Sequence, residues 1–201
     1  MKRAFLLFAF TLAALCSLTV SADEKADSLL SRMSAKLKAM GEYEATFTVS
    51  AEAFRADGRY TVSGREYLLS LGDIEVFCDG SNRYEVNKAL GEITIDKIDF
   101  SERNILNNPV GGLDFLGEEF SSAIVSQNAD SAIIRLTPAQ DRAGTIIEVT
   151  VSGSTGLPTR IVYRMGNDAI TVDLPSVRPA SAPMRRFVPT EYPDYEIIDF
   201  R

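Results

Sequence analysis

The sequence predicts a mainly β fold with some α: one domain built on an antiparallel sheet of about eleven strands, with a helix ahead of the sheet and a short helical cover within it. Three observations predict it. From Tyr43 onward, apolar and polar residues alternate with a period of two in one short run after another. Turn residues separate those runs. A single stretch ahead of them, Leu29 to Met40, carries the three-to-four-residue spacing of an amphipathic helix.

The first residues read as an export signal. Lys2 and Arg3 are followed by the apolar run Ala4 to Val20 and by the small-residue site Val20-Ser21-Ala22, so cleavage is expected before Asp23. Residues 1–22 are then a leader and residues 23–201 the domain. Cys16 raises the alternative of a lipid anchor, but Leu15 before it is the wrong residue for a lipidation box, and a soluble exported protein is expected. Without the leader, 19 basic residues face 28 acidic ones, a net charge of −9 against −7 for the whole chain. Such a balance disfavours nucleic acid as a partner. Cys78 is the sole cysteine after the leader, so no internal disulfide is expected and stability must come from a core. No later stretch reaches the ~20 apolar residues of a spanning helix.

In the first helix, Leu29, Leu30, Met33, Leu37 and Met40 form the apolar stripe and Gly41 stands where a C-terminal cap belongs. The stripe is expected to cover a sheet. Tyr43, Ala45, Phe47, Val49 and Ala51 then alternate with polar residues as a long first strand. Ala56-Asp57-Gly58 reads as the turn into a second strand, Arg59 to Ser63. Tyr67 to Leu71 follows, and then a meander: Ile74 to Cys78, an Asp79-Gly80 turn, Asn82 to Asn87, and a strand ending at Ile95. Between Phe100 and Phe120 the alternation stops, and Asn108-Pro109 and Gly111-Gly112 suggest short helices and a loop. The Gly111-Gly112 pair is either a plain loop or a hinge. Five more strands are expected in the second half, at Ala123–Ser126, Ala132–Thr137, Thr145–Val151, Thr159–Met165 and Ala169–Leu174. Arg178 to Pro189, with three prolines, reads as a surface connection. Tyr195 to Phe200 offers one short closing strand.

Catalytic constellations are scarce. With no histidine, the Ser-His-Asp and Cys-His arrangements and the usual zinc sites are absent. No phosphate-cradling motif and no calcium loop appears. Asp96 with Asp99, or Glu118 with Glu119, could be nominated as a carboxylate pair, but solvated loop charge explains them more simply. Cys78 reads as a small core residue. No enzyme, no cofactor and no metal site is expected.

The order of motifs resembles the LolA-like periplasmic carriers of outer-membrane lipoproteins. The residues that carry the resemblance are the helix, the Phe47 strand, Gly58 to Gly64, Asp79-Gly80 before the Tyr84 strand, Asn108-Pro109, Leu136-Thr-Pro, Gly156-Leu157-Pro158 and the ending Phe187 to Arg201. The resemblance implies an unclosed antiparallel β-barrel with helices over its open side and a hydrophobic cavity between them. It implies a periplasmic carrier or chaperone that shields the acyl chains of lipoproteins or other lipids. Such a carrier takes them from an inner-membrane lipoprotein-release transporter to an outer-membrane acceptor, acting as a monomer. The alternative is a LolA-like lipid-binding envelope sensor or partner-binding protein. The chain departs from the family in having Tyr84 where a tryptophan is usual, and Ser63-Gly64-Arg65 where a lid-holding Lys-Arg-Pro is usual. Arg65 is therefore expected to point away from the cover, unless a bulge at Gly64 restores the direction.

The expected acyl-chain contacts are Phe47, Val49, Tyr60, Val62, Tyr67, Leu69, Val76, Tyr84, Val86, Ile93 and Ile95 from the sheet. Leu106, Val110, Leu113 and Phe115 would join them from the cover, with Pro109, Gly111 and Gly112 as its hinge. Each of these apolar side chains would serve equally as ordinary core.

Overall fold

The computed structural model describes residues 22–100, 108, 120–139 and 144–201. Residues 1–21 of the expected leader, the cover residues Leu106, Val110, Leu113 and Phe115, and the hinge residues Pro109, Gly111 and Gly112 lie outside the described residues.

The helix α1, Ala22–Ala39, ends at Gly41, whose φ of 72° lets the chain turn at once into the first strand. The strands are β1 (Glu42–Ala51), β2 (Phe54–Ser63), β3 (Glu66–Leu71), β4 (Ile74–Cys78), β5 (Asn82–Asn87), β6 (Glu92–Lys97), β7 (Phe120–Gln127), β8 (Ser131–Pro138), β9 (Ile146–Ser152), β10 (Pro158–Met165), β11 (Asp168–Pro179) and β12 (Glu196–Asp199). They form one sheet in the order β12-β6-β5-β4-β3-β2-β1-β11-β10-β9-β8-β7. The sheet is an unclosed barrel with β12 and β7 at its two edges. The eleven expected strands and the short last one are all present. The last one does not close the barrel, because β12 pairs in parallel with the outer side of β6.

β1 sits in the middle of the sheet, antiparallel to β2 on one side and to β11 on the other. Between Thr46↔Ser176 and Thr48↔Asp173 the register shifts by one residue, a bulge that also accommodates Pro175 inside β11. The shift changes which residues face inward, so Leu174 and Val177 both reach the core despite their odd spacing.

Two expectations need correction. Ala56-Asp57-Gly58 is not a turn but the interior of β2, paired residue for residue with Phe47, Thr48 and Val49. The chain reverses instead at Glu52-Ala53, where Glu52 takes a φ of 36°. Gly58 is needed for packing. A Cβ there would lie 2.3 Å from Cζ of Phe47 and 2.8 Å from the carbonyl oxygen of Ser70. The proline-bearing segment after β11 is also more than a surface connection. Met184 is buried and Phe187 stacks on Tyr84, so the tail lies against the outer face of β3 to β6.

Candidate functional site

The concave face of the sheet and α1 enclose one continuous apolar core. Phe47 and Val49 of β1, Tyr60 and Val62 of β2, Tyr67 and Leu69 of β3, and Val76 of β4 all belong to it. Leu30, Met33 and Leu37 of α1 press into it. The same core continues across the second half of the sheet through Ile134, Leu136, Val149, Ile161, Val172 and Leu174. Sequence reasoning left these out of the site although their alternation was visible, because nothing in a pattern of twos says that two distant half-sheets share one face.

α1 is tied in place by polar bonds at two points. The buried Ser122 hydroxyl of β7 donates to Asp27 at 2.5 Å, and the Lys36 ammonium donates to the Thr155 carbonyl at 2.5 Å. Beside that second tie lies an open cavity of about 550 Å³ between Leu29, Arg32 and Lys36 and the turns that follow β7 and β9.

Tyr84, Val86, Ile93 and Ile95 do not join the concave core. They form a second cluster on the opposite face, with Phe77, Leu68, Phe187, Tyr192 and Tyr195. The register requires it. Tyr84 pairs with Phe77 and with Ile95, and Val86 with Glu75 and Ile93, and directly paired residues share a face. Val76 faces the other way, opposite Glu85. The hairpin between β4 and β5 centres on Gly80 and Ser81, closed by the Asp79 amide donating to the Asn82 carbonyl at 3.2 Å, with Gly80 at a φ of 87°. Burial raises the Asp79 pKa, but bonds from the Asn82 and Ser81 amides and the Tyr84 hydroxyl outweigh it and hold the carboxyl below the usual range.

An ion cluster fastens the tail over this second face. Glu75, 8% exposed, accepts from Arg185 at 2.5 Å and lies 3.2 Å from the Lys88 ammonium. Burial pushes its pKa up, while the bonds from Arg185 and Lys88 pull it down further, and the net direction is downward. Phe187 lies between the rings of Tyr84 and Tyr192, with centroids 4.5 and 5.6 Å away. The outer face of the second half-sheet is polar instead. Arg135 and Arg164 flank Glu148 there, and Arg160 pairs with Asp173.

Arg65 departs from the sequence reading. It stands in the turn between β2 and β3 rather than on a strand, so the alternation of faces does not govern it. Its guanidinium lies over the Phe100 ring, 4.1 Å from the centroid. Cys78 is buried at the edge of the concave core, and burial raises its thiol pKa, as suits a packing residue. Among the described residues no group of three or more carboxylate, thiol or imidazole side chains is placed to hold a metal ion. Among the same residues no helix is long and apolar enough to cross a membrane.

No family model matches the sequence, and no curated protein matches it. Solved structures do share its architecture. An uncharacterized conserved protein from Thermus thermophilus aligns with a TM-score of 0.57 at 8% identity, over 87% of this chain and 99% of that one. MucB aligns with a TM-score of 0.52 at 14% identity, over 87% of this chain and 65% of MucB. A putative outer membrane lipoprotein-sorting protein domain from Vibrio parahaemolyticus gives 0.47 at 10% identity, over 81% of this chain and 95% of the domain. The likeness to the first two shows the fold alone, an unclosed antiparallel β-barrel with a helix packed against it.

Proposed function

We propose that this protein is a carrier of the cell envelope that shields acyl chains in its concave core and delivers acylated lipoproteins to the outer membrane. The observation that supports it is the single apolar lining that runs from β4 through β1 to β8 with α1 lying over it. A chain of some sixteen carbons costs on the order of 10 kcal/mol to expose to water, at ~0.8 kcal/mol for each methylene, so an aqueous journey requires such a shelter. Apolar contacts are nondirectional and tolerate many chains, which suits a shuttle that must also let go.

In this reading Phe47, Val49, Tyr60, Val62, Tyr67, Leu69 and Val76 contact the acyl chain. Residues 1–22 direct export and are removed before Asp23, residues 23–201 work as a monomer in the periplasm, and no reaction is catalysed. An inner-membrane release transporter supplies the cargo and an outer-membrane acceptor receives it. Native protein from the periplasm should retain lipid detectable by mass spectrometry and bind a fluorescent hydrophobic probe at about one or two sites. Protein that retains no lipid and binds no such probe would refute the carrier.

A further inference from the structure

We propose that the Tyr60 hydroxyl is the polar anchor of the concave core, donating a hydrogen bond to the carbonyl oxygen of an ester- or amide-linked acyl chain. The inference rests on the acyl-chain reading above and narrows it from any apolar molecule to one with a carbonyl at the head of its chain.

Tyr60 is 1% exposed on the concave face, with the rings of Tyr43 and Phe47 at 6.2 and 6.0 Å. Its phenol oxygen is buried and has no hydrogen-bond partner among the described residues. Such hydroxyls are rare, because burial without a partner forfeits the bond to water, and a phenylalanine would fill the same place without that loss. The group also stays a donor. Burial first, and then the nearby phenols of Tyr43 and Tyr163, push its pKa well above the ordinary tyrosine value.

A lone donor in apolar surroundings selects an apolar body that carries one neutral acceptor. An acyl ester or amide has that form. An alkane lacks the acceptor, and a free fatty acid would bring a carboxylate into a core where no lysine or arginine is buried among the described residues.

The test is displacement of a bound fluorescent hydrophobic dye by methyl palmitate and by an alkane of matched length, on the wild type and on Tyr60→Phe. The wild type should prefer the ester by about tenfold, the worth of one buried hydrogen bond. That preference is read without any variant. Tyr60→Phe should bind the alkane as the wild type does, lose the preference, and keep or raise the melting temperature. Equal displacement by ester and alkane on the wild type, or a preference that survives in the variant, overturns the anchor and leaves the acyl-chain reading standing. A melting temperature lowered by several degrees means the hydroxyl already has a partner in the free protein, and also overturns the anchor. Displacement by neither molecule overturns both readings.

Discussion

Gly58 shows how much one missing side chain can decide. In the sequence it follows aspartate and looks like half of a turn; in the structure it leaves room for the Phe47 ring, which reaches over it from β1. Gly58→Ala would put a methyl group 2.3 Å from that ring and 2.8 Å from a backbone oxygen, and the backbone cannot step aside as a long side chain could. The substitution should cost about 1–3 kcal/mol, read as a lower urea midpoint at an unchanged slope. A midpoint equal to that of the wild type would show that Phe47 has another place to go. The misreading was inevitable at this scale. Asp-Gly is a turn signal through local backbone preference, whereas the reason for this glycine is an aromatic ring on a neighbouring strand, eleven positions earlier in the chain.

At the scale of elements, the tail and the face beneath it form a unit of their own, held by Glu75, Arg185 and Lys88 around the stacked rings of Tyr84, Phe187 and Tyr192. The folded Glu75 pKa lies below its ordinary value of 4.5, so its contribution is fully present above pH 4.5 and is lost as the pH falls through the lowered value. Acidification from about pH 6 to about pH 3 should therefore loosen the tail, seen as a falling near-ultraviolet aromatic signal. In Glu75→Gln that pH dependence should be much weaker. Arg185 is half exposed, and Arg185→Ala should destabilise by about 1–2 kcal/mol, between the worth of a surface pair and of a buried one. Equal pH profiles for wild type and Glu75→Gln would mean that the rings alone hold the tail. Strand positions were legible from alternation throughout, but β3 and β4 are apolar on both faces, and although β5 and β6 are apolar on one face only, alternation could not say which face looks inward. Only the pairing of Tyr84 with Phe77 separates the concave contacts from those under the tail. The tail itself was illegible because prolines and arginines read as solvent-facing chain until the partners Glu75 and Phe77 are known.

For the molecule as a whole, the sheet carries two apolar faces with different fates: a concave one given over to the core shared with α1, and an outer one on β3 to β6 that the tail seals. Removal of residues 180–201 would bare Phe77, Tyr84, Val86, Ile93 and Ile95 and free the edge of β6. Such a patch beside an open strand edge drives self-association. The shortened protein should sediment as dimers or larger species while still binding the hydrophobic probe, because the concave lining remains. A monomeric truncated protein would show that the tail protects nothing.

The pairing of β1 with β11 also sets a timetable. β1 is the first strand the chain produces, yet one of its two partners, Ser50 with Thr171 and Val49 with Val172, is made more than a hundred residues later. Until then the growing sheet has β1 as a raw border, and the second half has nowhere to join. Closing so long a loop is slow, and most of the neighbouring pairs, being hairpins, can wait ready for it. Joining of the two half-sheets is therefore the step expected to set the folding time, and it leaves the new chain an interval in which a border strand and an unfilled apolar hollow are both on view.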